Sequence, residues 1–138
     1  MTDTLVDTNV LIDVFGADPN WVEWSRSRLR AAAGNGELVV NPMVYAELSA
    51  MFPTQRQLDH ALPRDRYRRE DLPWDAAFNA GRAFLAYRRA GGAKRSPLPD
   101  FYIGAHAEIH GYDLLTRDPA RYRQFFPMLK LVTPDTHP

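Results

Sequence analysis

The stretch LVDTNVLID, residues 5–13, is the clearest structural signal in this chain. Two aliphatic residues lead directly to Asp7, a hydroxyl and an amide side chain follow, and three more aliphatic residues lead to Asp13. This pattern predicts a short buried strand over 4–6 and a helix over 9–15. An acid at such a junction is often only a helix cap, so Asp7 alone does not establish a functional site.

Short strands and helices alternate along the rest of the chain. Further strands are expected over 37–41, 113–116 and 128–133, and the segments 63–73 and 91–99 are expected to be loops. Helices are expected over 21–33, 42–52, 54–62, 75–90, 100–111 and 119–126. Strands that alternate with helices form a parallel sheet covered by helices on both faces, so the predicted class is α/β.

Two groups of residues are predicted to be structural. The 3.6-residue period of the helix over 75–90 places five residues near one face: Ala77, Gly81, Phe84, Leu85 and Arg88. Three aromatic residues near the C-terminus are expected to lie in the core: Tyr122, Phe125 and Phe126.

The composition limits the classes of protein. With 138 residues the chain is expected to form one domain, residues 1–138. It has no cysteine, which excludes disulfides, thiolate metal sites and a cysteine nucleophile. The 17 basic and 17 acidic residues balance, so the net charge does not indicate a nucleic-acid partner. There is no signal-peptide pattern and no apolar run near the ~20 residues of a membrane helix, so a soluble cytoplasmic protein is expected.

Four acids fall at related places in this layout. Asp7 follows the first strand, Asp118 closely follows the strand over 113–116, Asp100 begins a helix, and Glu47 lies within another helix. In open α/β sheets the ligand crevice lies outside the carboxyl ends of the strands. Each acid alone could be a helix cap or the partner of an arginine. The four together favour a single acidic site.

Carboxylates gathered in a crevice repel each other. At a separation of ~5 Å and an effective dielectric of ~20, each pair is destabilised by about 3 kcal/mol. Such a site needs a cation, or some of its members become protonated. Oxygen ligands without cysteine favour Mg²⁺ or Mn²⁺ over Zn²⁺. A hard cation with open water positions is suited to the hydrolysis of phosphate esters.

Four segments resemble, in order, the acidic motifs of PIN-domain nucleases. They are LVDTNVLID (5–13), VYAEL (44–48), PDFYIGAHA (99–107) and LLTRDPARY (114–122). The chain is similar to the VapC toxin branch of bacterial toxin–antitoxin pairs over nearly its whole length. DTNVLID is the most specific of these segments. Where the family commonly has IAA after its third acid, this chain has IGA, in which Gly104 lets the backbone approach closely.

The resemblance implies a fold and an activity. The fold is a three-layer α/β/α sandwich with a parallel sheet of about five short strands. The activity is that of an endoribonuclease dependent on Mg²⁺ or Mn²⁺, which leaves 5′-phosphate and 3′-hydroxyl ends and does not use the ribose 2′-hydroxyl as nucleophile. Asp7 and Asp100 would be the principal metal ligands, and Glu47 and Asp118 would complete the catalytic pocket.

The same resemblance implies supporting residues and partners. Asn9 would hold the pocket together by hydrogen bonding, and Thr116 would orient Asp118 or the attacking water. The partners would be an RNA substrate, a second copy of the chain in a homodimer, and a cognate VapB-type antitoxin whose tail blocks the crevice. Two alternatives stay open: a PIN nuclease of RNA processing or DNA flap cutting, and a catalytically inactive PIN-like binding module.

Two further groups carry competing interpretations. His106 and His110 flank Glu108 on one helix, but a metalloprotease helix needs Glu directly after the first His, and no third ligand is evident. A surface or packing role is therefore favoured over zinc. Four basic residues before Asp100 could hold phosphates near the crevice or simply be exposed charges: Arg88, Arg89, Lys94 and Arg95.

Overall fold

The chain folds around a parallel sheet of five short strands. The computed structural model describes residues 1–138. The strands are β1 (Thr4–Val6), β2 (Leu38–Val40), β3 (Tyr67–Arg69), β4 (Asp113–Leu115) and β5 (Leu131–Val132). All neighbours pair in parallel, in the order β3-β2-β1-β4-β5. The predicted α/β class and parallel sheet are confirmed.

Seven α-helices connect the strands. They are α1 (Thr8–Phe15), α2 (Val22–Asn35), α3 (Pro42–Leu48), α4 (Gln55–Ala61), α5 (Trp74–Arg89), α6 (Pro99–His110) and α7 (Ala120–Phe125). The chain moves outward from β1 through β2 to β3 and then returns across the sheet to β4. Because parallel crossovers are right-handed, the two directions place helices on opposite faces, giving an α/β/α sandwich. None of these helices is long and apolar enough to cross a lipid bilayer.

One predicted loop contains a strand. The segment 63–73 includes β3, an edge strand of sequence Tyr-Arg-Arg that pairs with β2. Only its first residue, Tyr67, is buried, because polar side chains commonly occupy exposed edge strands. Three residues with one buried side chain do not produce the alternation from which strands are recognised.

The buried face of α5 also differs from the prediction. The residues of α5 that are buried are Ala76, Ala80 and Ala83. Leu85, expected on the same face as Ala77 and Phe84, is exposed instead. Three small alanines allow α5 to pack closely on its neighbours, and their stripe is offset by one residue from the predicted stripe of Ala77, Gly81 and Phe84. The helix therefore turns several large apolar side chains toward solvent.

The sheet topology fixes where a site can form. Strand order reverses at β1, because β2 follows on one side and β4 lies on the other. Asp7 is the first residue after β1, and Thr116 is the first residue after β4. β1 and β4 pair in register from Thr4 with Asp113 to Val6 with Leu115, so both exits lie at the same edge. This edge is where α/β sheets bind ligands.

Candidate active site

Asp7 is a buried carboxylate held by four donors. Its Oδ1 accepts the backbone N–H of Thr8 at 2.7 Å, which caps α1. Its Oδ2 accepts hydrogen bonds from the hydroxyls of Thr116 and Tyr122, each at 2.9 Å, and from Asn9 Nδ2 at 3.3 Å. Oδ2 is therefore saturated, whereas Oδ1 has a single donor and keeps a lone pair that could bind a metal ion.

The environment of Asp7 raises the pKa of its carboxyl group. Burial, followed by the negative charge of Asp100, raises the pKa of Asp7 from 3.8 to about 6, against the opposing effect of its hydrogen-bond donors. Burial also raises the pKa of Tyr122 well above its usual range, and the charges of Asp7, Asp100 and Glu47 act in the same direction. The charges of three of the four predicted acids thus raise the pKa of the same hydroxyl, that of Tyr122.

Asp100 lies in the first turn of α6 and is paired with an arginine. Arg121 Nη1 donates to Asp100 Oδ2 at 2.8 Å, and both side chains are partly exposed. Asp100, Asp118 and Arg121 line a cavity of about 370 Å³, and Gly91 and Gly92 border it as well. Asp7 is buried and does not line this cavity. Asp100 lines the cavity and also acts electrostatically on Asp7, so it links the buried acid to the cavity.

Glu47 and Asp118 lie at the exposed margins of the site. Glu47 projects from α3, and its Oε1 accepts the Thr8 hydroxyl at 2.7 Å, directly beside Asp7. Asp118 is exposed, and its backbone N–H donates to Thr116 Oγ1 at 3.1 Å. Both acids keep carboxylate oxygens accessible to solvent, so they could bind a metal ion directly or through water.

The hydrogen bonds expected of Asn9 and Thr116 are present. Asn9 Nδ2 donates to Thr116 Oγ1 at 3.3 Å, and Asn9 Oδ1 accepts the backbone N–H of Arg117 at 3.0 Å. Together with their bonds to Asp7, these contacts fasten the exit of β4 to the start of α1. Asn9 and Thr116 therefore set the position of Asp7 relative to Asp118.

Sequence reasoning missed two residues of the site. Tyr122 is in the core, as expected, but its hydroxyl also reaches Asp7, and Arg121 was not singled out. Both belong to the last of the four motif segments, where an arginine and a tyrosine closely follow Asp118 at the start of α7. The sequence offered no separate signal for the Tyr122 hydroxyl, because α7, of sequence ARYRQF, is largely polar and Tyr122 is its one buried residue.

Asp13, the second acid of the opening stretch, has a structural role. It is 1% exposed and forms a bidentate pair with Arg117, with Nε–Oδ2 at 2.8 Å and Nη2–Oδ1 at 3.0 Å. Ser25 Oγ also donates to Asp13 Oδ2, at 2.8 Å. These contacts join α1, α2 and the loop after β4.

Of the four basic residues before Asp100, one orders a loop and three are exposed charges. Arg88 Nη1 donates to the carbonyl oxygens of three loop residues, the best at 2.9 Å to Lys94, so Arg88 orders the loop after α5. Arg89, Lys94 and Arg95 are exposed. The loop that Arg88 orders includes Gly91 and Gly92, which border the acidic cavity.

The residues present fit a hard divalent cation. The available ligands are carboxylate oxygens, which Mg²⁺ and Mn²⁺ prefer. In the structure the Arg121 guanidinium offsets the charge of Asp100, and the raised pKa of Asp7 makes its charge easier to lose by protonation. The acids are more widely spaced than Glu70, His106 and His110, whose ligand atoms all lie within 4.8 Å of one another.

Comparisons with known proteins concern the family and the fold of the chain. The family described as PIN domain matches residues 4–124. No curated protein matches the sequence. Among solved structures, the fold is similar to VapBC2 from Rickettsia felis bound to a DNA fragment from their promoter, with a TM-score of 0.73 and 19% identity over 95% of this chain and 98% of that one.

Two further structures have the same fold. VapBC-1 from nontypeable Haemophilus influenzae gives a TM-score of 0.71 with 21% identity, over 95% of this chain and 97% of that one. FitAcB from Neisseria gonorrhoeae gives a TM-score of 0.67 with 18% identity, over 98% of this chain and 99% of that one. At these identities the likeness concerns the fold.

Proposed function

This chain belongs to the PIN domain family, and from this premise we propose that it is an endoribonuclease dependent on Mg²⁺ or Mn²⁺ and the toxin of a type II toxin–antitoxin pair. The observation that carries the proposal is the environment of Asp7. A buried carboxylate held by four donors, beside the second acid Asp100, stands at the topological switch point of the sheet.

Asp7 and Asp100 are the residues that would hold the metal ion. A bound Mg²⁺ or Mn²⁺ supplies a polarised water and neutralises negative charge at the scissile phosphate. Asp7 Oδ1, which keeps a free lone pair, would be one of its ligands, and a cation there would favour the ionised form of Asp7. Arg121, which pairs with Asp100, would lie within reach of a phosphate oxygen of the substrate.

The remaining acids would handle protons and water at the cavity. Glu47 is exposed and has one oxygen engaged by Thr8, so the other oxygen can accept a proton from the attacking water. Asp118 faces the cavity and would complete the catalytic pocket with Asp7, Glu47 and Asp100. In-line attack of water on phosphorus would leave a 5′-phosphate and a 3′-hydroxyl. No residue is needed to activate the ribose 2′-hydroxyl.

We also propose its partners and location. The similar solved structures carry the names VapBC and FitAcB, and we infer that this chain binds RNA as substrate and a VapB-type antitoxin whose tail blocks the acidic cavity. We expect a homodimer that acts in the cytoplasm, where RNA and the antitoxin are found.

The decisive experiment compares Asp7→Asn with a matched control, Asp65→Asn. Asp65 is an exposed acid in the loop before β3, so its change alters the net charge equally without touching the site. With Mg²⁺ or Mn²⁺, the wild type and Asp65→Asn should cut RNA to 5′-phosphate ends, and Asp7→Asn should be at least about 100-fold slower while remaining folded. EDTA should stop cleavage.

Other results would point to the alternatives. Cleavage that survives Asp7→Asn would remove Asp7 from the mechanism. A wild-type protein that cuts no RNA, and whose melting temperature Mg²⁺ and Mn²⁺ do not raise, would be a PIN-like binding module. Cleavage confined to one precursor RNA would favour a role in RNA processing.

A further inference from the structure

A second cluster of ligand-type side chains lies at the C-terminal part of α6. His106 and His110 are one helical turn apart on α6, and Glu70 directly follows β3. His106 Nε2 lies 2.8 Å from Glu70 Oε1, and His110 Nε2 lies 3.4 Å from the same oxygen. The sequence offered two histidines without a third ligand, and the fold supplies Glu70.

The spacing of these atoms suits a transition-metal ion. In a tetrahedral site with metal–ligand bonds of 2.0–2.1 Å, two ligand atoms are about 3.3 Å apart. The ligand atoms of the cluster all lie within 4.8 Å of one another, so small side-chain movements would bring them to this distance. His106 is fully buried, whereas His110 and Glu70 are partly exposed, which leaves a route for an ion and a position for water.

The charge around the cluster favours a dication. Arg68 is ion-paired with three carboxylates, those of Asp3, Glu37 and Glu70. One guanidinium facing three carboxylates leaves an excess of two negative charges while the histidines are neutral. A divalent ion would cancel that excess. The Tyr112 hydroxyl lies within hydrogen-bonding distance of both Glu70 oxygens, at 3.0 and 2.8 Å, and so orients this ligand.

We propose that Glu70, His106 and His110 form a binding site for Zn²⁺ or a similar transition-metal ion, separate from the acidic cavity. Imidazole nitrogens with one carboxylate select Zn²⁺, Co²⁺, Ni²⁺ or Cu²⁺ over Mg²⁺. Three protein ligands leave a fourth position for water. The proposal does not rest on the ribonuclease activity, and the two can fail independently.

The second site is coupled to a helix of the acidic site. Asn41 Oδ1 accepts the Val44 N–H at 3.0 Å and caps α3, so Asn41 Nδ2 faces His106 Nδ1, also at 3.0 Å. In the metal-free protein, therefore, Nε2 of His106 carries the proton. A metal ion on Nε2 moves that proton to Nδ1, and the Asn41 amide must turn to accept it and give up the cap. Since α3 carries Glu47, metal binding at the second site loosens the start of that helix.

The coupling gives an unusual test substitution, Asn41→Asp. The new carboxylate has two acceptor oxygens, so it can cap Val44 and accept the Nδ1–H of His106 at the same time. Carboxylates in this position orient metal-binding histidines and change metal affinity by 10–100-fold. Asn41→Asp should therefore tighten Zn²⁺ binding by about tenfold or more, which a packing role for His106 does not predict.

The experiment titrates the full-length protein with CoCl₂ and then ZnCl₂, in the Asp7→Asn background so that an ion held between Asp7 and Asp100 is not counted. We expect one Co²⁺ per chain with the visible absorption of a four-coordinate site, displaced by Zn²⁺. Glu70→Gln and His110→Ala change partly exposed residues, and circular dichroism checks that both variants fold. Each should weaken binding by at least about 100-fold.

Three results would count against the proposal. One is binding of Co²⁺ and Zn²⁺ with the same affinity in Glu70→Gln and His110→Ala as in their parent. Another is no binding at sub-millimolar metal in a folded parent protein. If Asn41→Asp weakens binding instead of tightening it, His106 is not a ligand through Nε2.

Discussion

At the scale of single residues, Asp7 does two things that the sequence left as alternatives. Its Oδ1 caps α1 by accepting the Thr8 N–H, and its Oδ2 is fixed by hydroxyls that come from distant parts of the chain. A cap occupies only one oxygen lone pair, so the helix-cap and metal-ligand explanations are compatible. Burial and the nearby charge of Asp100 make ionised Asp7 unfavourable without a counter-ion.

The pKa of Asp7 predicts how stability depends on pH without metal. It is about 6 in the folded chain against 3.8 ordinarily. Protonated Asp7 therefore contributes fully to the free energy of unfolding below pH 3.8. That contribution, about 3 kcal/mol, is lost as the pH rises through 6. Urea unfolding in EDTA should therefore show Asp7→Asn more stable than the wild type at pH 7, with the difference vanishing near pH 4.

Asp100→Asn is the matched comparison for that measurement. Asp100 is partly exposed and already paired with Arg121, so its loss should change stability by no more than about 1 kcal/mol. A wild-type stability that is flat between pH 4 and 6.5 in EDTA would contradict the raised pKa of Asp7. An equal gain in the free energy of unfolding in both variants would show that repulsion between the two acids, and not the burial of Asp7, destabilises the protein.

Tyr122→Phe tests the phenol that donates to Asp7. The hydrogen bond from Tyr122 lowers the pKa of Asp7, so its removal should raise that pKa further. The Mg²⁺ concentration that half-saturates RNA cleavage should rise by up to about tenfold at pH 6, where protons compete with the metal, and change little at pH 8. An equal rise at both pH values would indicate that Tyr122 acts only through packing.

At the scale of the secondary-structure elements, buried ion pairs decide how the helices join the sheet. Arg117, one residue past Thr116, reaches Asp13 of α1, and Ser25 of α2 completes the contact. Asp13 thus adds a second attachment, besides that of Asn9, between the first helix and the segment after β4. The same contact keeps Asn9 on α1 within reach of Thr116.

Arg117→Met should leave the buried Asp13 carboxylate without its counter-charge. Removing one partner of a buried ion pair lowers the free energy of unfolding by about 3–5 kcal/mol. Because Arg117 is partly exposed, urea unfolding should show a decrease near the lower end of that range. Adding Asp13→Asn to Arg117→Met should recover part of that loss. A single variant within about 1 kcal/mol of the wild type would show that water replaces Arg117.

Elements with strong local patterns could be predicted, and those defined by distant partners could not. The strands β1 and β4 are aliphatic runs that end in polar residues, so both the strands and their exits at Asp7 and Thr116 were recognisable. The strand β3 is held by pairing with β2 and by the ion pairs of Arg68, which link residues more than 30 positions apart. No window of neighbouring residues contains that information.

At the scale of the whole molecule, the sequence located the candidate acids but not their electrostatic setting. The positions of Asp7, Asp100 and Asp118 follow from strand exits and a helix start, and Glu47 lies within a predicted helix. That Arg121 neutralises Asp100, or that Glu70 joins two histidines, depends on how α6 and α7 lie against the sheet. These contacts arise only in the folded chain.

The homodimer proposed above would use the exposed apolar face of α5. On α5, Trp74 and Phe78 are 91% and 62% exposed, and Leu85 is exposed two turns further along. An exposed apolar face of this kind is typical of a protein interface. Light scattering should give the mass of two chains for the wild type and of one chain for Trp74→Ser with Phe78→Ser.

The control for that measurement is Met128→Ser, which changes an equally exposed apolar residue outside α5. It should leave the two-chain mass unchanged. A wild-type mass of one chain would assign the apolar face of α5 to another partner. A loss of the two-chain mass in Met128→Ser as well would show that α5 is not the interface.

The four donors to Asp7 have a consequence for protein synthesis. Two of them, Thr116 and Tyr122, stand more than 100 residues after Asp7. A nascent chain on the ribosome therefore cannot assemble the proposed cutting centre until almost the whole polypeptide has emerged. Fragments from interrupted translation should be harmless to the cell that makes them, and toxicity should begin only with the completed product.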